Sequence, residues 1–202
     1  MENGQEFKIS LEKIRCKWCK NDPLYIKYHD SEWGVPVFDD AKIFESLLLE
    51  IFQAGLSWSI ILNKREGLRR AFSNFAYKKI SKYSDRKLEE LRLDTRIIRN
   101  KLKIKSAKEN ALAFLKIQKE FGTFSKYIWR FIKYQPIHNK FTSSSNLPSS
   151  TPLSEKISTD LKSRGFKFVG ATIIYAHMQA IGMVNDHTID CFRYKEILTS
   201  NT

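Results

Sequence analysis

Leu47-Leu48-Leu49-Glu50-Ile51-Phe52-Gln53-Ala54-Gly55-Leu56-Ser57-Trp58 decides how this chain of 202 residues is read. With Ile43 and Phe44 upstream, Leu47, Leu48 and Ile51 recur at spacings of three and four, the mark of a helix with an apolar face. Asp39-Asp40 supplies a capping carboxylate at its start, and Gly55 breaks it. Helical pattern then resumes with Ser57-Trp58-Ser59-Ile60-Ile61-Leu62. One residue fits a plain core badly. Glu50 is an acid among apolar neighbours, costly to bury unless something pairs with it. A core helix broken at glycine, with a tryptophan soon after, reads as the wall of a pocket. On this stretch alone, a Glu50 that reaches solvent or an arginine is the simpler reading.

Helical signals continue on both sides. Asp22-Pro23 is a helix start, an acceptor side chain before a residue with no N–H to leave unsatisfied, and that helix carries Tyr25, Tyr28 and His29 near one face before Gly34-Val35-Pro36 ends it. Downstream, helices are expected from Ser57 to Phe72, from Ser84-Asp85 through Leu88, Leu91 and Leu93, up to about Phe121, and around Tyr127–Ile132. Arg96–Lys105 reads as a basic connection, and 134–151, with Pro136, Pro148 and a serine run, as a surface loop. Thr151-Pro152 caps another helix, Ala171–Ala180 is the buried one, and a last turn-and-helix starts at Asn185. With no alternating strands, internal repeat or glycine-rich phosphate loop, the fold class is all-α. Residues 1–14 are expected to be a polar extension turning helical from Ser10, 15–195 one globular unit or two lobes, and 196–202 a tail.

Composition narrows the partners. Thirty-five Lys and Arg against 22 Asp and Glu give a net charge of +13 and a pI near 9.6. Such an excess favours polyanions, nucleic acid first and an acidic membrane surface second. No basic amphipathic face supports the membrane. The longest apolar run, Leu47–Leu62, is too short and is interrupted by Glu50 and Gln53. The polar start Met1–Glu6 does not read as a secretory leader, and three cysteines argue for a reducing compartment, so the expected location is the cytoplasm, with the nucleoid as target in a bacterium.

Two constellations carry chemistry. Were the segment helical, His187 and Cys191, four apart, would point the same way as half of a zinc site, with Cys16, Cys19 and His29 near the other end of the chain. Ligand chemistry allows Cys16, Cys19, His187 and Cys191, or Cys16, His29, His187 and Cys191. Either set is structural, with no position left for water. The aromatic residues Tyr25, Tyr28, Trp33 and Trp58, with Glu50, suit a flat, electron-poor ring, which aromatic faces hold by stacking.

Tyr28-His29-Asp30-Ser31-Glu32-Trp33-Gly34-Val35-Pro36, Gln53-Ala54-Gly55-Leu56-Ser57-Trp58, Arg164-Gly165-Phe166-Lys167-Phe168-Val169-Gly170 and Val184-Asn185-Asp186-His187 together closely resemble the DNA-3-methyladenine glycosylase I family, in the family's order. The resemblance spans about residue 15 to Cys191. It implies an all-α helix-hairpin-helix glycosylase that removes 3-methyladenine from alkylated double-stranded DNA by base flipping, acting as a monomer and leaving an abasic site. It selects Cys16, His29, His187 and Cys191 as ligands of one structural zinc per chain. By position it makes Glu50 the acid that meets the excised base, Tyr28 and Trp58 the stacking aromatics with Tyr25 beside them, and Gln53, Gly55 and Leu56 the loop that approaches opened DNA. Arg99, Lys101 and Lys103 of the basic hairpin are expected at phosphates. That hairpin, around Asn100-Lys101-Leu102-Lys103, departs from the family in carrying no glycine. A zinc-stapled helical module that binds damaged DNA without chemistry is the alternative.

Overall fold

A computed structural model describes residues 13–199, so the polar extension, with the helix expected from Ser10, lies outside the described residues up to residue 12, as does the end of the tail. The described chain is helical. In order come α1 (Pro23–Ser31), α2 (Asp40–Gln53), α3 (Trp58–Ala71), α4 (Tyr77–Ile80), α5 (Asp85–Leu93), α6 (Lys101–Phe121), α7 (Phe124–Trp129), α8 (Pro152–Ser163), α9 (Ala171–Ala180) and α10 (Phe192–Thr199). The expected caps are in place: Asp22, Asp39, Ser84 and Thr151 each accept backbone N–H groups of the helix they precede.

The broken helix is the axis of the molecule. Ile43, Phe44, Leu47, Leu48, Ile51 and Phe52 of α2 are fully buried, and α2 touches α3, α6, α7 and α9. Each such side chain contributes about 1.5–3 kcal/mol by leaving water. The first residue of α2 also organises a distant helix. The Asp40 carboxylate accepts the N–H groups of Phe124 and Ser125, both at 2.8 Å, and the Gln118 amide at 2.6 Å, capping α7 from across the core. At the other end the chain turns through Gly55, whose φ of +77° is left-handed, before α3 begins.

α5 and α6 pack together and are joined by the turn 94–100. That turn lies against α3 at Gly67, where a Cβ would sit 2.5 Å from the Arg96 carbonyl oxygen, so only glycine allows the approach. Asn100 caps α6 by accepting the N–H groups of Leu102 and Lys103, so the helix starts inside the segment expected as a connection.

Three features depart from the expected pattern. A short parallel pair joins Ile137–His138 (β1) to Val184–Asn185 (β2) and folds the 134–151 loop back onto the core. In the turn-and-helix expected from Asn185 the helix begins at Phe192, so His187 and Cys191 do not share a helix face but lie on the preceding turn, closed by Cys191 N–H to the Thr188 carbonyl. α10 then continues to Thr199, into the expected tail. No helix among the described residues is long and apolar enough to cross a membrane.

Candidate functional site

Two clusters share α1. The first holds Cys16, His29, His187 and Cys191, all buried, with one ligand atom from each within 4.8 Å of the others. Cys191 Sγ lies 3.4 Å from His29 Nε2 and 3.5 Å from His187 Nδ1, and Cys16 Sγ lies 3.5 Å from His187 Nδ1. A tetrahedral ion with bonds of about 2.3 Å to sulfur and about 2.0–2.1 Å to nitrogen has S–N edges of about 3.5 Å. The donor set fits such an ion. The outer groups fit as well, because each imidazole's other nitrogen is engaged: His29 Nδ1 with Asp30 at 2.7 Å, His187 Nε2 with the Trp33 carbonyl at 3.0 Å. Burial works against the Asp30 charge, but hydrogen bonds from Arg15 and His29 outweigh it and hold its carboxyl low. The Cys191 thiol is held well below its ordinary range by a hydrogen bond from Cys16 and by the imidazoles, while Cys16, donating to that thiolate, is pushed up. Cys19 stands outside the set, its Sγ turned to the Cys16 carbonyl at 3.1 Å.

The second cluster is a cavity of about 400 Å³ between α1, the α2–α3 corner, α9 and the 134–151 loop. Tyr28 and Trp58 pack with ring centroids 5.1 Å apart and planes tilted by 52°, and Trp18 packs edge-on to Trp33 at 5.0 Å. Tyr25 is fixed beside them, its hydroxyl accepting the Ser59 N–H at 3.1 Å. Glu50 is 4% exposed and has no hydrogen-bond partner among the described residues; burial alone pushes its carboxyl up to about 8. Burial, then the Glu50 charge, raises the Tyr28 phenol too. The indole N–H groups of Trp18 and Trp58 and the Ser144 hydroxyl are also buried without partners among the described residues. Each unmatched group costs about 1–3 kcal/mol. Gathered around one aromatic slot, they describe a site shaped for a flat, polar-edged ligand.

A larger cavity, about 840 Å³, lies behind Tyr28 and Trp58. Its main charges are already matched, Arg65 with Glu32 and Glu45, and Arg69 with Glu45. The smaller cavity, with its unmatched groups, is the better candidate.

Beside the mouth of that cavity, Gln53 is half-buried while Gly55 and Leu56 are exposed, and Leu56 N–H closes the turn onto the Gln53 carbonyl. A Cβ on Gly55 would meet nothing, so the tip projects into open space. Arg99 and Lys101 are exposed on the α5–α6 turn. Lys103 is not. It is 6% exposed, and its ammonium donates to the carbonyls of Phe52 at 2.9 Å and Ala54 at 2.6 Å, so the expectation that it meets a phosphate is corrected.

Trp18, Ser144, Leu147, Ala176 and Gln179 also line the cavity and were not anticipated as site residues. Trp18 had a signal, an aromatic between two cysteines, and so had Gln179, a polar residue in the apolar 171–180 stretch. Ser144 had none, since one serine in a serine-rich loop looks like any other.

The family described as methyladenine glycosylase matches residues 18–194. The chain is 46% identical over 180 residues to the DNA-3-methyladenine glycosylase 1 of Escherichia coli (strain K12), covering 89% of this chain and 96% of that one. It is 42% identical over 177 residues to the DNA-3-methyladenine glycosylase of Haemophilus influenzae, covering 88% and 96%. A crystal structure of a 3-methyladenine DNA glycosylase I superposes with a TM-score of 0.86 at 45% identity, over 89% of this chain and 98% of the other. The Staphylococcus aureus enzyme, solved to explain its recognition of 3-methyladenine, superposes at 0.85 and 31% identity, over 88% and 95%.

Proposed function

This chain belongs to the methyladenine glycosylase family and is a hydrolase of N-glycosyl bonds, and from that premise we propose that it releases 3-methyladenine from alkylated duplex DNA, leaving an abasic site without cutting the strand. The observation that carries the substrate is Glu50, a buried carboxylate with no partner among the described residues, in an aromatic slot beside two indole N–H groups that are likewise unmatched there. Family membership favours this over a module that binds damage without chemistry.

A base stacked in a duplex must be rotated out before a pocket of this kind can hold it. Tyr28 and Trp58 stack on the flipped base, Tyr25 borders it, and Glu50 accepts a hydrogen bond from its exocyclic amino group. Methylation makes the ring cationic. That charge favours the ionised form of a carboxylate otherwise pushed up by burial, so base and Glu50 stabilise each other. As the N-glycosidic bond breaks, its electron pair goes to the departing base, water supplies the oxygen that bonds the sugar carbon, and a proton is released. The methylated base is already a good leaving group, so Glu50 holds and selects it and is not assigned the activation of water.

Leu56, with Gln53 and Gly55, occupies the gap beside the flipped nucleotide. Arg99 and Lys101 hold phosphates from the α5–α6 unit, which we read as the helix-hairpin-helix. Cys16, His29, His187 and Cys191 hold one structural zinc, supported by the match of the sulfur–nitrogen edges to a tetrahedral ion. When bound, the metal supplies a cross-link between the two ends of the fold. The protein acts as a monomer.

Release of free 3-methyladenine from alkylated DNA tests the reading directly. Glu50→Gln keeps the size of the side chain and removes its charge. Losing a charge-assisted bond worth roughly 1.5–3 kcal/mol lowers release about ten- to a hundredfold, with affinity for undamaged duplex unchanged. Full activity per folded Glu50→Gln molecule would remove Glu50 from the site.

A further inference from the structure

Lysine is almost never buried unless paired, yet Lys103 is 6% exposed and no carboxylate pairs with it among the described residues. Its ammonium bridges two backbone carbonyls instead, those of Phe52 and Ala54. Both belong to the end of α2, where carbonyls have no helical partner and the helix dipole is negative. On its own helix the charge is badly placed, because Lys103 lies in the first turn of α6, at the positive end. The position makes electrostatic sense only for α2. Just beyond Ala54 come Gly55 and Leu56, the exposed tip. On either side of the α6 cap come two exposed cations, Arg99 preceding Asn100 and Lys101 following it. The start of α6 therefore faces solvent with Arg99 and Lys101 and reaches inward with Lys103.

We propose that Lys103 is a positioning residue that locks the 53–57 loop to the basic α5–α6 turn, so that a grip on phosphates and insertion of Leu56 act as one rigid unit. The inference rests on the DNA-binding reading above. Its chemistry is different from that of a phosphate contact, because the ammonium touches only protein.

The test is a double-mutant cycle on the full chain, read by affinity for a duplex carrying an abasic-site analogue. Lys103→Met keeps the apolar stem and removes the donor. It is expected to weaken that affinity about tenfold, the scale of a lost charged hydrogen bond, and Leu56→Ala added to it should lower affinity no further. Binding of free 3-methyladenine, followed by tryptophan fluorescence, should be unchanged, and so should the salt dependence of duplex binding. Lys103→Gln, which keeps a neutral N–H donor group on a shorter side chain, guards against loss of folding and should recover part of the affinity. Additive effects of Lys103→Met and Leu56→Ala overturn the proposal, as does a salt slope reduced by about one, which would mark a direct phosphate contact. Equal loss of free-base binding would reduce Lys103 to a general structural role and overturn it as well. Failure of the wild-type protein to release 3-methyladenine would instead sink the proposed reaction, and the binding cycle would still report whether loop and turn are coupled.

Discussion

At the scale of single residues, Glu50 leaves a signature that needs no substrate. Its carboxyl has an ordinary value of 4.5 and is pushed up to about 8 by burial, so between those values the folded protein binds more protons than the unfolded chain. Stability therefore declines as pH rises from about 4.5 to about 8, by up to about 1.4 kcal/mol for each unit crossed, and levels off above that. Melting temperatures of wild type and Glu50→Gln, measured from acid to alkaline pH, should draw apart in favour of the variant and then run parallel. A gap that stays constant would mean that Glu50 is not held unpartnered in the free protein. Glu50 was legible in the sequence because an acid among leucines contradicts its surroundings. Lys103 was misread because, beside Arg99 and Lys101, it looked like part of one basic face. Yet two residues along a helix turn the side chain by about 200°, so Lys101 outward puts Lys103 inward, next to buried Ile104.

Among the elements, the α5–α6 turn makes a separable prediction. Arg99→Ala and Lys101→Ala should each weaken binding to damaged and undamaged duplexes alike, and each should reduce the salt slope by about one. Binding titrations at several salt concentrations check this. Loss of damage preference with general affinity intact would show that these side chains act at the base. The helices themselves were mostly legible, since a cap such as Asp22, Ser84 or Thr151 works on its own next residues. What escaped depends on distant contacts or on brevity. Tyr77–Ile80 is too short for a periodicity, and the pairing of Ile137–His138 with Val184–Asn185 joins segments far apart in sequence. Helical spacing suggested how His187 and Cys191 could face one way, but it is a turn, closed by the Thr188 carbonyl, that brings both to Cys16 and His29.

Across the whole molecule, the four-residue cluster joins the start of the described chain to its end, and its neighbours Tyr28 and Trp33 carry the cavity wall. Purified protein should hold one zinc, and Cys16→Ser, His29→Ala, His187→Ala or Cys191→Ser should each lower both metal content and melting temperature. The loss should be on the scale of a removed disulfide, about 2–5 kcal/mol. Cys19→Ser should keep its metal, and the reverse pattern, metal lost with Cys19→Ser and kept with His29→Ala, would reject this ligand set. The sequence left two sets open because spacing cannot say whether Cys19 or His29 turns inward; the short turn at Lys17–Cys19 points the Cys19 sulfur at a carbonyl. The same burial bears on survival in harsh chemistry. Reagents that methylate ring nitrogens of DNA also attack sulfur. All three thiols of this protein are at most 2% exposed. A protein whose work increases when a cell fills with electrophiles thus keeps its own softest nucleophiles out of their reach.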